Sequence, residues 1–298
     1  GSEYIDLGAV WTDLVDGNGA ANANGSVDEN IPGTYEISYT FTDSSGNEAT
    51  PVDRFVTVVD TTAPIITLIG DANLTHEAGS DYVDQGAVWT DLVDGNGTAN
   101  ANGTVNDQVP GTYEITYSFT DSNGNPAQPV LRTVQVVDTG APVITLIGDA
   151  NLTHEAGSEY IDLGAVWTDL VDGNGTANAN GTVNDQVPGT YEITYSFTDS
   201  NGNPAQPVLR TVQVVDTGAP VITLIGDANL THEAGSEYID LGAVWTDLVD
   251  GNGAANANGS VDGNIPGTYE ISYTFTDSSG NEATPVDRFV TVVDTTAP

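Results

Sequence analysis

The sequence lacks cysteine and lysine, and its four arginines are its only strong bases. Without cysteine, neither disulfide bonds nor thiol chemistry contribute to the fold. Without lysine, the Lys–Asn isopeptide cross-links of some surface pilins are excluded. Metal ions are then the remaining means of stapling small modules together.

Positive charge is scarce overall. The sequence has 43 Asp and Glu but only four Lys and Arg, which gives a net charge of −39. Such a surface repels nucleic acid and anionic membranes, so we expect neither as a partner. It attracts divalent cations or suits a salty medium. No apolar run is long enough to cross a membrane, and we expect no direct membrane insertion. The chain is not an acidic disordered tail, because 38% of it is hydrophobic and the apolar residues are patterned.

What the sequence does hold is a repeat. The acidic joint Val-Val-Asp-Thr-Gly-Ala-Pro and its variants recur every 78 residues, with aspartates at Asp60, Asp138, Asp216 and Asp294. A fixed period of this size indicates one folding unit repeated in tandem. Cutting before each joint proline predicts repeats at 1–63, 64–141, 142–219 and 220–298. The first lacks the segment that matches 142–156, so we expect a piece of a longer array.

The third repeat illustrates the predicted fold. Residues 191–198 alternate between apolar and polar side chains, which predicts a strand with one buried face. Residues 208–215 predict the closing strand, whereas 169–180 predict a polar loop. We expect a core of Tyr191, Ile193, Tyr195, Phe197, Val212 and Val214. Six or seven short strands without a helical period predict a small all-β sandwich.

Two side chains of this repeat are harder to place. Gly164 lies inside a predicted strand over residues 160–168 and suggests a β-bulge, so the face of Trp167 stays open. Arg210 lies on an otherwise apolar strand face. We expect it to extend to the rim of the sandwich, where it stacks on an aromatic ring or pairs with a carboxylate.

The order of motifs resembles a known family. Asp-Thr-Thr-Ala-Pro, Glu-Ala-Gly-Ser-Glu-Tyr-Ile-Asp-Leu-Gly-Ala, Val-Asp-Gly, Pro-Gly-Thr-Tyr-Glu-Ile-Thr-Tyr and Thr-Asp-Ser-Asn-Gly-Asn follow one another as in the bacterial immunoglobulin-like repeats of large surface adhesins. The hyalin-type repeat is similar. The resemblance implies an extended rod of immunoglobulin-like sandwiches in an extracellular or cell-surface setting, and it implies no particular ligand.

Two sets of aspartates are candidate ligands for Ca²⁺, which prefers six to eight oxygens. One set follows the Trp-Thr-Asp-x-x-Asp-Gly motif and comprises Asp91, Asp94, Asp169, Asp172, Asp247 and Asp250. The other set is the joint aspartates Asp60, Asp138 and Asp216, whose joints are similar to the acidic linkers of cadherins. The alternative is that Asp, Asn and Gly here form turns and polar linkers.

The remaining motifs do not predict catalysis. His76, His154 and His232 recur in Thr-His-Glu, but the repeats supply no nucleophile and orienting acid around them. We therefore predict a non-enzymatic stalk or fibre segment of a secreted bacterial surface protein. Its partners would be neighbouring repeats and, in a fibre, like chains. The alternatives are a self-associating extracellular filament and a carbohydrate-binding accessory module.

Overall fold

The computed structural model describes residues 2–297, and strands are its only regular elements. The described residues therefore include no helix that could span a membrane. The chain divides into two compact units, Gly1–Asp138 and Thr139–Pro298, with two repeats in each.

The first unit contains twelve strands. Those of the first repeat are β1 (Val10–Asp13), β2 (Gly17–Ala20), β3 (Asn22–Asn24), β4 (Gly33–Thr40) and β5 (Val52–Val58). Those of the second are β6 (Ile65–Leu68), β7 (Asn73–Glu77), β8 (Ala87–Asp91), β9 (Gly95–Thr98), β10 (Asn100–Asn102), β11 (Gly111–Ser118) and β12 (Val130–Val137).

The second unit contains fourteen. Those of the third repeat are β13 (Val143–Leu146), β14 (Asn151–Glu155), β15 (Ala165–Asp169), β16 (Gly173–Thr176), β17 (Asn178–Asn180), β18 (Gly189–Ser196) and β19 (Val208–Val215). Those of the fourth are β20 (Val221–Leu224), β21 (Asn229–Glu233), β22 (Ala243–Asp247), β23 (Gly251–Ala254), β24 (Asn256–Asn258), β25 (Gly267–Thr274) and β26 (Val286–Val293).

Each of the last three repeats is a sandwich of a three-stranded and a four-stranded sheet. In the third repeat the sheets have the orders β13-β15-β16 and β14-β19-β18-β17. All pairings are antiparallel except that of β14 with β19. Along the chain, these are the first and the last of the strands that form the larger sheet. The predicted all-β sandwich is confirmed, with seven strands in each of these repeats.

The core lies between the two sheets. In the third repeat Ile193, Tyr195, Val212 and Val214 are at most 4% exposed, as the alternation predicts. Tyr191 and Phe197 are half-buried and pack against this core. The period-two pattern therefore identified the buried face correctly.

Trp167 also belongs to the core. It is 9% exposed, stacks on Phe197 with ring centroids 4.0 Å apart, and lies against Gly175 on the neighbouring strand. A Cβ at Gly175 would come within 2.8 Å of the indole, so glycine is needed beneath the ring. The predicted strand over residues 160–168 was too long, because β15 begins only at Ala165, after Gly164 with its φ of 81°.

The prediction of a polar loop over residues 169–180 was also wrong. The stretch turns after Asp169 and then forms β16 and β17, one on each sheet. Glycine and asparagine are poor strand formers. Here the pairing of β16 with β15 and of β17 with β18 overrides that preference.

The prediction for Arg210 was right about its partners and wrong about its place. The side chain is 1% exposed and pairs with the carboxylate of Asp162, while its guanidinium lies 5.5 Å from the ring of Tyr195. It donates further hydrogen bonds to the carbonyl oxygens of Ile147 at 2.6 Å and Asp149 at 3.2 Å. We call Arg210, Asp162 and Tyr195, with their equivalents in the other repeats, the arginine clip.

The clip ties the segments that flank β13 and β15 to the centre of β18 and β19. The Tyr195 hydroxyl donates to Asp162 at 2.6 Å and accepts from Arg210 at 3.1 Å. Burial raises the pKa of the Asp162 carboxyl. The hydrogen bonds from Tyr195 and Arg210 outweigh burial and hold the pKa below its ordinary value. The charged pair is thus retained inside the sandwich because each partner is satisfied.

We expect Asp162→Ala to destabilise the third repeat by about 3 kcal/mol, because the buried guanidinium of Arg210 would lose its counter-charge. Urea unfolding followed by circular dichroism should show a separate early transition with about a quarter of the total amplitude. Asp6→Ala is the matched control, since its partner Arg54 is 36% exposed, and its effect should be smaller. Equal effects of the two variants would contradict a buried clip.

The clip should also depend on pH. The folded pKa of Asp162 lies below the ordinary value of 3.8, so the clip's contribution is complete above that value and is lost as pH falls through the folded pKa. We expect wild type to be more stable than Asp162→Asn at about pH 6 and the difference to shrink at about pH 2. Calorimetric melting of both proteins at the two pH values checks this, and a constant difference would refute it.

Candidate metal centre

The Trp-Thr-Asp motif forms a tight turn at one end of each sandwich. In the fourth repeat the Oδ1 atom of Asp247, at the end of β22, accepts hydrogen bonds from the backbone nitrogens of Val249 and Asp250, both at 2.8 Å. Gly251 then starts β23 with a φ of 86°, a conformation that suits glycine. The turn leaves the side chain of Asp250 directed toward a second turn.

The second turn is Thr-Asp-Ser-Ser-Gly-Asn, after β25. Asp277 is 7% exposed, and its Oδ1 accepts from the backbone nitrogens of Ser279 at 3.0 Å and Asn281 at 2.7 Å. Burial raises the pKa of this carboxyl, but the hydrogen bonds from Asn281 and Ser279 hold it below its ordinary value. Asp250 joins the two turns by accepting from the hydroxyl of Ser278 at 2.7 Å. Asp277 is therefore charged at neutral pH and close to Asp250.

The joint that precedes the fourth repeat lies beside these two turns. The side-chain amide of Asn281 donates to the backbone oxygen of Asp216 at 3.1 Å. This brings Asp216, Asp250 and Asp277 together, with one oxygen of each within 4.8 Å of the others. We call these three residues the second-unit cluster.

The first unit holds a corresponding cluster of Asp60, Asp91 and Asp94, again with one oxygen of each within 4.8 Å of the others. Asp91 makes the same turn, accepting from Val93 at 2.7 Å and from Asp94 at 2.9 Å. The amide of Asn125 donates to the backbone oxygen of Asp60 at 3.3 Å. We call it the first-unit cluster.

Both clusters contain a buried carboxylate oxygen without a hydrogen-bond donor. It is Oδ2 of Asp216 in one and Oδ2 of Asp91 in the other. Asp216 is 9% exposed, and its other oxygen accepts from the backbone nitrogen of Gly218 at 3.1 Å. A buried charged oxygen without a donor is costly. Three close carboxylates with such an oxygen fit a hard divalent cation, which would complete its shell with backbone oxygens or water.

The structure places most of the predicted ligands in these turns. It groups Asp60 with Asp91 and Asp94, and Asp216 with Asp250, whereas Asp247 serves the turn and lies outside the cluster. Asp169 and Asp172 make the same turn contacts in the third repeat. Asp138 ends the first unit, and its role as a ligand stays a prediction.

Asp277 was not among the predicted ligands. Its signal in the sequence is the recurring Thr-Asp-Ser-x-Gly-Asn, which a turn explains equally well.

The histidines are occupied by local contacts. Nε2 of His154 lies 2.9 Å from the backbone oxygen of Ser158, and its ring meets Tyr160 edge-on at 5.3 Å. His76 and His232 make the same contacts in their repeats. None of the three lies in either acidic cluster.

Similar sequences occur in proteins of very different sources. Hyalin of Strongylocentrotus purpuratus is 32% identical over 89% of this chain, and internalin I of Listeria monocytogenes is 26% identical over 99%. The chain spans only 24% of that hyalin and 18% of that internalin.

Solved structures give a looser likeness. The four-domain fragment EC1-4 of Drosophila N-cadherin is 12% identical, with a TM-score of 0.28, over 97% of this chain and 91% of that one. Four domains of sidekick-1 are 13% identical, with a TM-score of 0.25, over 90% and 84%.

All four repeats match one family model, that of the bacterial surface protein Ig-like domain, over residues 1–58, 66–136, 144–214 and 222–292. The match confirms the predicted resemblance, the tandem immunoglobulin-like fold and the cell-surface setting. The chain belongs to the Ig-like domain family of bacterial surface proteins, which it represents in four tandem copies.

Proposed function

We propose that the chain is a non-enzymatic stalk segment that spaces or presents other parts of a bacterial surface protein. The observation that carries the proposal is the short joint, which is fastened on both sides in the second unit. On one side Thr217 donates its backbone nitrogen and its hydroxyl to the carboxylate of Glu155, at 2.7 and 2.9 Å. On the other, Asn281 donates to Asp216. A joint held by both neighbours suits a spacer, because it limits bending between repeats.

We further propose that Ca²⁺ binds at the joint inside each unit, at the first-unit and second-unit clusters. In the second-unit cluster, Asp216 would contribute from the joint, and Asp250 and Asp277 from the following repeat. Bound there, the cation would supply positive charge among carboxylates in a chain of net charge −39 and would hold the joint against that repeat. Calcium is favoured over softer metals because every side-chain ligand on offer is an oxygen.

The alternatives have less support. A carbohydrate-binding module stacks sugars on exposed aromatic rings, whereas the tryptophans here stack on phenylalanines, with centroids 3.8 to 4.0 Å apart. A self-associating filament remains an outcome of the scattering test below.

We expect the chain to be elongated in solution. Four repeats of roughly 35–45 Å each would span roughly 140–180 Å, from the rise of a strand plus a joint. Small-angle scattering should then give a radius of gyration of roughly 40–50 Å, against about 19 Å for a globule of this length. A compact value would refute the stalk, and a molecular mass that rises with concentration would favour the filament.

We expect Ca²⁺ to raise the free energy of unfolding by about 2.7 kcal/mol at a hundredfold excess over its dissociation constant, because the unfolded chain offers no assembled site. Thermal melting in calcium, in chelator and in sodium chloride of matched ionic strength separates binding from screening. Asp216→Asn and Asp277→Asn should each reduce the calcium-specific part.

Asp227→Asn is the matched control for these variants. It removes one charge from an exposed residue of the same repeat whose carboxylate is outside the cluster, and it should keep the full calcium effect. The calcium proposal fails if sodium chloride reproduces the whole stabilisation, or if all three variants behave alike.

A further inference from the structure

One end of the third sandwich has a small apolar cluster of its own. Ala156, Val212 and Val214 are at most 2% exposed there, and Leu152, Tyr160, Val183 and Tyr191 pack around them. One more side chain packs on this cluster, and it comes from the following repeat. It is Val249, in the turn after β22. The core of the third repeat therefore continues into the fourth.

The neighbouring leucine makes a close contact at the same end. A Cβ at Gly157 would lie 2.6 Å from Cδ2 of Leu248, a distance that real Cβ atoms do not show. Gly157 also has a φ of 80°, so both its conformation and its lack of a side chain suit the site. At Gly235, the equivalent position of the fourth repeat, φ is 91° but nothing lies within 4 Å of such a Cβ.

The first repeat shows the same turn without a preceding sandwich. Leu14 and Val15 occupy the positions of Leu248 and Val249, and Val15 is 88% exposed, whereas Val249 is half-buried. In the first unit, Leu92 and Val93 of the second repeat line one cleft together with Val58 and Val59 of the first. The valine of the pair is thus exposed at Val15 and half-buried at Val93 and Val249, whereas the leucines remain largely exposed, at 79% for Leu92 and 77% for Leu248.

We propose that the pairs Leu92-Val93 and Leu248-Val249 are docking elements, in which the valine completes the core of the repeat before it and the leucine contacts the surface of that repeat. The free energy of unfolding of a repeat then depends on its C-terminal neighbour, and the coupling is directional. The pair provides a hydrophobic contact that does not rest on the proposed cation, so the two proposals can fail separately.

The composition of the chain allows each repeat to be followed separately. Trypsin cleaves after lysine and arginine, and this chain has no lysine and one arginine per repeat. Arg132, Arg210 and Arg288 are each 1% exposed within a strand, so cleavage there requires the repeat to open. Cleavage then tracks the population of the open form, and the fragment masses identify which repeat opened.

The main variant is Leu248→Ser with Val249→Ser, digested in chelator and followed by mass spectrometry. It adds no charge near the acidic cluster. We expect cleavage after Arg210 to become on the order of tenfold faster, because the third repeat loses the apolar surface that closes its core. Cleavage after Arg288 should change less. The matched control, Leu14→Ser with Val15→Ser, should leave cleavage after Arg132 and Arg210 unchanged.

Two single glycine variants keep the test decisive if the serine variant unfolds the whole fourth repeat. Gly157→Ala and Gly235→Ala introduce the same strain at a positive φ, but only the first displaces Leu248. We expect Gly157→Ala to speed cleavage after Arg210 several-fold more than Gly235→Ala speeds cleavage after Arg288. Equal effects of the two glycine variants, or a serine variant that speeds only the cut after Arg288, would overturn the docking proposal.

Discussion

The fold depends on the arginine clip, a charge pair whose arginine is buried in each of the last three repeats. A guanidinium that is 1% exposed would oppose folding if it stood alone. The buried guanidinium of Arg210 is tolerated because it has a counter-charge and hydrogen-bond acceptors. These are Asp162, the tyrosine hydroxyl and backbone carbonyl oxygens of two loops. These partners are 15 to 63 residues away along the chain, so the pair forms only when both sheets are in place. It thereby specifies which strands meet in a core whose other side chains are apolar, among them Trp167, Ile193 and Val212.

Apart from the aspartates of the clip, the abundant negative charge is arranged around this core. Many carboxylates lie in turns or at their edges, where their oxygens accept backbone hydrogen bonds, as Asp169 and Asp247 do. A turn of this kind satisfies one oxygen and leaves the other available. Where the aspartate of a joint lies beside such turns, more carboxylates lie close together than the hydrogen bonds of the turns require. The acidic clusters are therefore a product of local turn chemistry combined with the arrival of the joint.

Much of the fold followed from the sequence, because its signals are local. The alternation over residues 191–198 and the recurrence of the joint need no knowledge of the rest of the chain. The burial of Arg210 could not be predicted, because its counter-charge lies 48 residues upstream. The strands β16 and β17 were missed because their composition is that of a loop, and only pairing to β15 and β18 makes them strands. At the candidate site, Asp277 escaped notice because its own turn explains it fully.

The parallel pairing of β14 with β19 has a mechanical consequence. These are the strands by which the chain enters and leaves the larger sheet of the third repeat, and they are paired along five residues, from Asn151 with Thr211 to Glu155 with Val215. A force applied at the start of β14 and at the end of β19 slides these strands past one another. The backbone hydrogen bonds between the two strands are then loaded together in shear, and they do not break one after another. Tension between these two strands is thus resisted by the whole ladder at once.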